Sequence, residues 1–212
     1  LVLVVTLVIS IVLMEVLVEI AEHTFIKPAL QQLELQFIAY VQQFVTPPLT
    51  AEVMLVTASG SSTFYLLASA LVCCWYLYSR QKDRLYLYLV CLCGGGILNQ
   101  VLKRIFERVR PDIFPVIAES GYSFPSGHAM GAICFYGILA YFAGLGLRSK
   151  PLRWGLLAAA GIYILLIGLS RVYLGVHYPT DILAGYAAGA TWLFFCITLH
   201  RIFRKHYYRK IE

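Results

Sequence analysis

The sequence predicts an all-α integral membrane protein: a six-transmembrane-helix bundle with an interfacial amphipathic helix between spans 1 and 2. Of its 212 residues, 60% are hydrophobic and 13% are charged, whereas soluble domains are about 45–50% apolar and about 25% charged. Several apolar runs exceed the ~18 residues that indicate a membrane-spanning helix. The alternating pattern of ~10-residue strands that is typical of a transmembrane β-barrel does not occur in the sequence.

Six runs are long and apolar enough to be predicted spans: Leu1–Ala21, Val53–Leu77, Leu85–Phe106, Ser126–Leu145, Trp154–Leu169 and Ile182–Phe203. No linker rich in Pro, Gly or Ser divides them, so residues 1–212 are predicted to form a single membrane domain. The six cysteines all lie inside these runs, and none has the C-x-x-C spacing of a zinc or redox site. We interpret them as small buried hydrophobic residues.

The segment between the first two spans has a helical pattern of its own. Glutamines alternate with apolar residues that recur at helical spacing, namely Leu30, Leu33, Phe37, Tyr40, Val41 and Phe44. This pattern predicts a helix that lies in the membrane interface. Such a helix could form one wall of an access path for lipid or only pack on the bundle, and the sequence leaves both interpretations open.

Basic residues predict the orientation, because Lys and Arg collect on the cytoplasmic side of a membrane. Eleven of the 17 follow spans two, four and six: Arg80, Lys82, Arg84, Arg148, Lys150, Arg153, Arg201, Arg204, Lys205, Arg209 and Lys210. We therefore expect a multi-pass protein of the cell (inner or plasma) membrane with both termini in the cytoplasm. No soluble basic domain is present, so nucleic acid is not an expected partner.

The other six basic residues fall on the outer side, against this rule: Lys27, Lys103, Arg104, Arg108, Arg110 and Arg171. A positive cluster on the disfavoured side indicates a local cause, and an anionic ligand is the simplest. Two carboxylates in the outer half of span one, Glu15 and Glu19, are candidates to pair with Arg104 or Arg108, although they could equally lie in wet interface.

Three segments carry polar residues toward this outer side. The first, KRIFERVRP, places Lys103 and Arg110 seven residues apart, about two turns along one helix face. Pro111 ends the helix before Arg110, and both cations are expected to reach a common point. Taken alone, the segment is equally typical of basic side chains that snorkel to an interface.

The second segment, SFPSGHAMG, opens span four. Ser126 is a good helix N-cap, and the free N–H groups of a helix N-terminus bind phosphate well. Gly127 would let an anion approach the backbone closely, and His128 lies in the first turn. In isolation these residues would indicate only a capped helix with an incidental histidine.

The third segment, SRVYLGVHYPTD, joins spans five and six. Arg171 closes span five, and Pro179 begins span six at a position that proline tolerates. His177 and Asp181 are four residues apart, so the carboxylate can accept a hydrogen bond from one imidazole nitrogen and leave the other as a nucleophile or base. The alternative is a salt bridge that fixes a loop.

Together the three segments point to phosphoryl transfer. Three fixed cations, Lys103, Arg110 and Arg171, match the oxygens of a phosphoryl group. One histidine can attack phosphorus while a second donates a proton to the leaving oxygen. His128, His177 and Asp181 could instead form a 2-His-1-carboxylate metal site, but the three cations would repel a divalent ion. We therefore expect no metal and no cofactor.

The ordered set resembles the three-part signature of the type 2 phosphatidic acid phosphatase (PAP2) superfamily: Lys103-x6-Arg110-Pro111, Pro125-Ser126-Gly127-His128 and Ser170-Arg171-x5-His177-x3-Asp181. The resemblance is strongest to small bacterial enzymes that act on phosphatidylglycerophosphate or undecaprenyl diphosphate. It implies a metal-independent lipid phosphatase with six helices and an extracytoplasmic active site. Its partners would be a lipid phosphate substrate and membrane lipids, and no obligate protein partner is expected.

The resemblance also implies a role for each residue of the signature. Phosphate would be bound by the side chains or backbone of Lys103, Arg110, Arg171, Ser126 and Gly127. His177 would form a phosphohistidine, Asp181 would orient it, and His128 would protonate the leaving group. Vanadium haloperoxidases share the signature but are soluble, so this interpretation does not fit so apolar a chain. A lipid phosphotransferase of the same fold and a non-catalytic lipid-binding or transport protein remain as alternatives.

Overall fold

The computed structural model describes residues 2–113 and 115–208, and these form a bundle of helices. Leu1, Arg209 and Lys210, predicted to lie in the first span and in the cytoplasmic basic cluster, fall outside the described residues. The helices, in chain order, are α1 (Val2–Ile26), α2 (Pro28–Gln42), α3 (Pro47–Ala58), α4 (Ser62–Tyr78), α5 (Lys82–Phe106), α6 (Gly127–Ala132), a π-helical segment (Ile133–Gly137), α7 (Ile138–Gly146), α8 (Lys150–Tyr173) and α9 (Pro179–Tyr208).

The membrane-spanning elements agree with the predicted fold class. Five helical stretches of the described chain are long and apolar enough to cross a membrane, and α3 with α4 makes a sixth if the bent pair is one span. The observed helices are mostly longer than the predicted runs: α8, for example, begins at Lys150 rather than Trp154 and continues to Tyr173. A helix continues through polar residues at its ends, which a search for apolar runs does not include.

The second span departs from the prediction, because it is two helices rather than one continuous helix over Val53–Leu77. α3 and α4 are bent by 49° at the break between them. Ser61 caps α4 by accepting a hydrogen bond of 3.1 Å from the Phe64 N–H, and the freed Ser59 carbonyl accepts one of 3.0 Å from the Tyr136 hydroxyl. A Cβ at Gly60 would lie 2.5 Å from Ile167 and 3.0 Å from His128, so glycine permits the backbone to pass against the His128 ring.

The start of α6 is packed tightly against the start of α9. A Cβ at Gly185 would lie 2.7 Å from the Ser126 carbonyl oxygen, and a Cβ at Gly189 would lie 2.9 Å from that of Met130. The Ser126 N–H donates to the Asp181 carbonyl at 2.9 Å. The predicted helix starts are both observed, with Ser126 as the N-cap of α6 and Pro179 as the first residue of α9. Two of the three signature segments are therefore held together by backbone packing.

The predicted helix between the first two spans is present as α2, and its two faces differ in character. The apolar residues that predicted it are largely exposed, with Leu33 61% and Tyr40 57% accessible. Its buried residues are Glu34 and Ile38. The apolar stripe therefore faces outward, where lipid would lie, while a carboxylate faces the bundle.

Candidate active site

His177 and Asp181 form a buried pair at the junction of α8 and α9. The Nδ1 atom of His177 lies 3.2 Å from Oδ2 of Asp181, which also accepts a 2.9 Å hydrogen bond from the Tyr178 N–H. Because an ionised carboxylate only accepts hydrogen bonds, Nδ1 carries the proton and Nε2 carries the lone pair. His177 is 1% exposed, and this burial lowers its pKa well below the usual value. The imidazole is therefore neutral, and its Nε2 lone pair lies on the side opposite Asp181.

Arg110 occupies the space in front of Nε2. Its Nη1 atom lies 3.1 Å from Nε2 of His177 and donates to the Val176 carbonyl at 2.9 Å. The other guanidinium nitrogens donate to backbone carbonyls of the segment between α5 and α6, at Ser120, Gly121 and Tyr122. This cation thus joins His177 to the segment between α5 and α6.

Arg171 is the buried cation at the end of α8. Its Nη1 atom donates a 2.7 Å hydrogen bond to the hydroxyl of Thr57 on α3. Its other terminal nitrogen is paired with the carboxylate of Glu119, which also lies 3.6 Å from Nη2 of Arg110. A carboxylate of the chain itself thus lies between two of the three predicted phosphate-binding cations.

Lys103 completes the cluster of cations. Its ammonium donates to the carbonyl of Tyr122, the same oxygen that Arg110 approaches. α5 ends at Phe106, and Glu107 in the left-handed conformation (φ 44°) turns the chain. The two cations meet through this chain reversal and not along one helix face.

The N-cap and first turn of α6 contain three residues of the signature, as predicted: Ser126, Gly127 and His128. The Ser126 hydroxyl is fully buried and accepts a 3.4 Å hydrogen bond from the Ala129 N–H, so it caps the helix. Asn99 of α5 contacts this turn and donates a 3.3 Å hydrogen bond to the Pro125 carbonyl. The Gly127 position faces Asn99, since a Cβ there would lie 3.2 Å from its Oδ1 atom.

One cavity of about 850 Å³ connects these groups. At one end it is lined by Lys103, Arg110, Gly127, His128 and His177. It then continues between α4 and α5 along an apolar wall that includes Leu66, Ala70, Leu89, Leu92 and Gly96. Asp181, Arg171 and Ser126 lie behind the wall and contact residues that form it. The structure thus brings the eight predicted residues to one end of a groove that extends along the helices.

Sequence reasoning missed the contacts that four residues make in and around this cluster. Arg108 contacts Asp181, Glu34 contacts Arg108, Thr57 contacts Arg171, and Glu119 contacts two cations. The suggestion that Glu15 or Glu19 pairs with Arg108 is wrong, because Arg108 is paired with Glu34 and Asp181. Glu15 is exposed on α1, and Glu19 faces His23 at 3.8 Å. For Glu34 the sequence does contain a signal, because it is the single acidic residue of α2.

Fold and site together define a class of protein: a membrane-embedded helical protein in which fixed cations lie beside a neutral histidine at the end of one groove. The sequence model of the PAP2 superfamily matches residues 84–205. The chain belongs to that superfamily, and it is an integral membrane phosphatase. The predicted family, the helical membrane fold and the phosphatase activity are thus confirmed.

Relatives of known activity support this assignment. Phosphatidylglycerophosphatase B of Bacillus subtilis (strain 168) is 40% identical over 156 residues, which cover 72% of this chain and 76% of the relative. Undecaprenyl-diphosphatase of Sulfolobus acidocaldarius is 35% identical over 110 residues, or 51% of this chain and 48% of the relative. The crystal structure of a transmembrane PAP2-type phosphatidylglycerolphosphate phosphatase from Bacillus subtilis matches with a TM-score of 0.82 at 31% identity, covering 96% of this chain and 97% of that one.

Proposed function

We propose that this phosphatase hydrolyses a lipid phosphate or diphosphate through a phosphohistidine formed on His177, without a metal ion. The observation that carries the proposal is the arrangement around one imidazole: Asp181 holds Nδ1, and Nε2 faces Arg110 at the wall of the cavity. A group held in this way presents a lone pair to an anion that the neighbouring cations attract.

In the first step, Lys103, Arg110 and Arg171 bind the non-bridging oxygens of the phosphoryl group. Nε2 of His177 forms a bond to phosphorus as the bond from phosphorus to the lipid oxygen breaks. His128, in its protonated form, donates a proton to that leaving oxygen. The products are a lipid alcohol, or a lipid monophosphate from a diphosphate, together with phosphohistidine and neutral His128.

In the second step, water attacks the phosphohistidine. Neutral His128 takes a proton from this water as the new oxygen–phosphorus bond forms and the nitrogen–phosphorus bond breaks. Inorganic phosphate leaves, and both histidines return to their starting states. Asp181 stabilises the charge that develops on the His177 ring in each step.

The groove between α4 and α5 supports a lipid as the substrate. It begins at the cations and continues along apolar side chains, which suits a phosphate head group with a hydrocarbon tail. Within this class we place phosphatidylglycerophosphate first, because the relative that acts on it matches 72% of this chain. Undecaprenyl diphosphate and phosphatidic acid are the next candidates.

The charge distribution supports an active site on the extracytoplasmic side of the cell membrane. Basic residues at the α4–α5 and α7–α8 turns, such as Arg80, Lys82, Arg148 and Lys150, lie at helix ends away from the signature segments. These turns would face the cytoplasm. A membrane-impermeant thiol reagent tests this arrangement: it should modify Ser120→Cys in intact cells and leave Ser149→Cys unmodified.

Phosphate release by the purified protein in detergent, with EDTA present, tests the activity. We expect release from lipid phosphates, and a competition panel of the three candidate lipids ranks them. His177→Ala and His128→Ala should both lose most of the activity, and full activity in either variant would refute the mechanism. Transfer of phosphate to another lipid would appear in product analysis as a new phospholipid, and lipid binding without release would indicate a non-catalytic protein.

A further inference from the structure

The structure contains a buried charge network that is separate from the phosphate-binding cations. Arg108 is 8% exposed and lies two residues before Arg110. Its Nη1 atom is 2.6 Å from Oδ1 of Asp181, and its Nη2 atom is 2.6 Å from Oε2 of Glu34. One guanidinium therefore joins two carboxylates from helices that are distant in the sequence.

Glu34 is itself held firmly at the start of α9. The carboxylate is 4% exposed, and its Oε1 atom accepts hydrogen bonds from the N–H and the hydroxyl of Thr180, at 2.9 and 2.5 Å. The same hydroxyl accepts a 2.8 Å hydrogen bond from Nη1 of Arg108. The guanidinium also lies over the Tyr178 ring at 3.8 Å. Among the residues that the structure describes, the partners of the Arg108 guanidinium thus all belong to this network.

Asp181 uses its two oxygens for different partners. Oδ1 accepts from Arg108, while Oδ2 accepts from Nδ1 of His177 and from the Tyr178 N–H. A carboxylate fixed at both oxygens cannot rotate away from the imidazole. The guanidinium also offsets part of the carboxylate charge that would otherwise favour a protonated His177.

We propose that Arg108 is a positioning residue of the phosphatase reaction: anchored by Glu34 of α2, it fixes the Asp181 carboxylate and through it the attacking His177. Arg108 does not bind phosphate in this proposal, because both terminal nitrogens of its guanidinium are paired with carboxylates. This inference rests on the proposed function, because it assigns a partner to the acid–base pair used there.

Other charged groups also act on the His177–Asp181 pair and have to remain constant in any test. They come from α5, the segment after it and α8, and they are Lys103, Arg110, Glu119 and Arg171. The substitutions below leave all four in place. They change only the charge of Arg108 or of Glu34.

Arg108→Gln and Glu34→Gln provide the test, with kcat, KM and the pH profile measured for p-nitrophenyl phosphate and a lipid phosphate. We expect kcat to fall about 10- to 100-fold in Arg108→Gln, because a displaced nucleophile reacts more slowly, while KM and the inhibition constant of inorganic phosphate change less than about twofold. The acidic limb of the profile should move to higher pH in Arg108→Gln, since His177 loses a neighbouring positive charge. In Glu34→Gln it should move to lower pH, because a negative charge is removed.

A merely structural role would leave the acidic limb unchanged in both variants. The opposite shifts of this limb therefore distinguish positioning from a structural role. A large rise in KM at unchanged kcat in Arg108→Gln would show that this residue binds phosphate, and unchanged kinetics in both variants would also overturn the proposal. If Arg108→Gln does not accumulate, Glu34→Gln alone decides, since the amide has nearly the same size and shape as the carboxylate. Exposed Arg148→Gln and Glu52→Gln are matched controls, and a wild-type protein without phosphatase activity would refute the proposed function instead.

Discussion

Arg110 donates a hydrogen bond of 3.1 Å to Nε2 of His177, the ring nitrogen opposite the one that faces Asp181. The cation and the nucleophile thus contact each other directly. A phosphoryl oxygen has to replace this contact when substrate binds, so that the guanidinium moves from the imidazole to the anion. In the proposed mechanism, substrate binding therefore also frees the Nε2 lone pair of His177.

The pH dependence of the reaction follows from the state of His177. Burial lowers its pKa below the ordinary 6.5, and only the neutral ring can attack, so activity is lost when pH falls through the lowered value. We expect kcat/KM, corrected for ionisation of the substrate phosphate, to have an acidic limb with a midpoint below pH 6.5. A midpoint at or above this value would contradict a His177 pKa that burial has lowered.

Substitution of Thr57 should weaken phosphate binding through Arg171. The Thr57 hydroxyl accepts a 2.7 Å hydrogen bond from the buried guanidinium, and a hydrogen bond to a charged group contributes about 1.5–3 kcal/mol. We expect Thr57→Val to raise KM and the inhibition constant of orthovanadate by about tenfold or more. Thr191→Val is the matched control, because the Thr191 hydroxyl donates a 2.8 Å hydrogen bond to the Ala187 carbonyl of its own helix. Equal effects of the two substitutions would contradict this role.

Substitution of Glu119 should have the opposite effect on anion binding. Its carboxylate contacts Arg110 and Arg171, so a phosphate group has to displace it. Glu119→Gln removes the competing charge and should lower the inhibition constants of phosphate and orthovanadate several-fold, as inhibition assays at constant ionic strength can show. Unchanged or weaker inhibition would mean that Glu119 does not compete with the anion.

The groove between α4 and α5 predicts a separation of substrates by tail length. Gly96 lines this groove, and a Cβ there would meet nothing within 4 Å. Gly96→Leu should therefore be accommodated by the fold yet fill the groove. We expect kcat/KM for a long-chain lipid phosphate to fall about tenfold while that for p-nitrophenyl phosphate is retained. Parallel losses for both substrates would place the lipid tail elsewhere.

Features that depend on neighbouring residues were predictable from the sequence. Ser126 caps α6 and Pro179 starts α9 as expected, because caps and proline positions are set within one helical turn. The sequence also predicted that the three signature segments meet, because the number of spans between them places all three on the same side of the membrane. The sequence resemblance supplied the roles of these residues.

Features that depend on distant partners were not predictable. Glu34 and Arg108 are 74 positions apart, and Thr57 and Arg171 are 114 apart, so no local spacing connects them. The break between α3 and α4 was missed for a similar reason. Gly60 is required by Ile167 and His128, which approach it only in the folded bundle.

The tight contact of α6 with α9 at Gly185 and Gly189 has a consequence for how such enzymes diversify. It places His128 and Asp181 on one rigid unit, whereas Glu119 and two of the cations come from α5 and the irregular segment after it. Insertions or substitutions in that segment can change which head group is admitted without disturbing the spacing of His128 and Asp181. New specificities would therefore accumulate in the connection, while the two packed helices keep the chemistry constant.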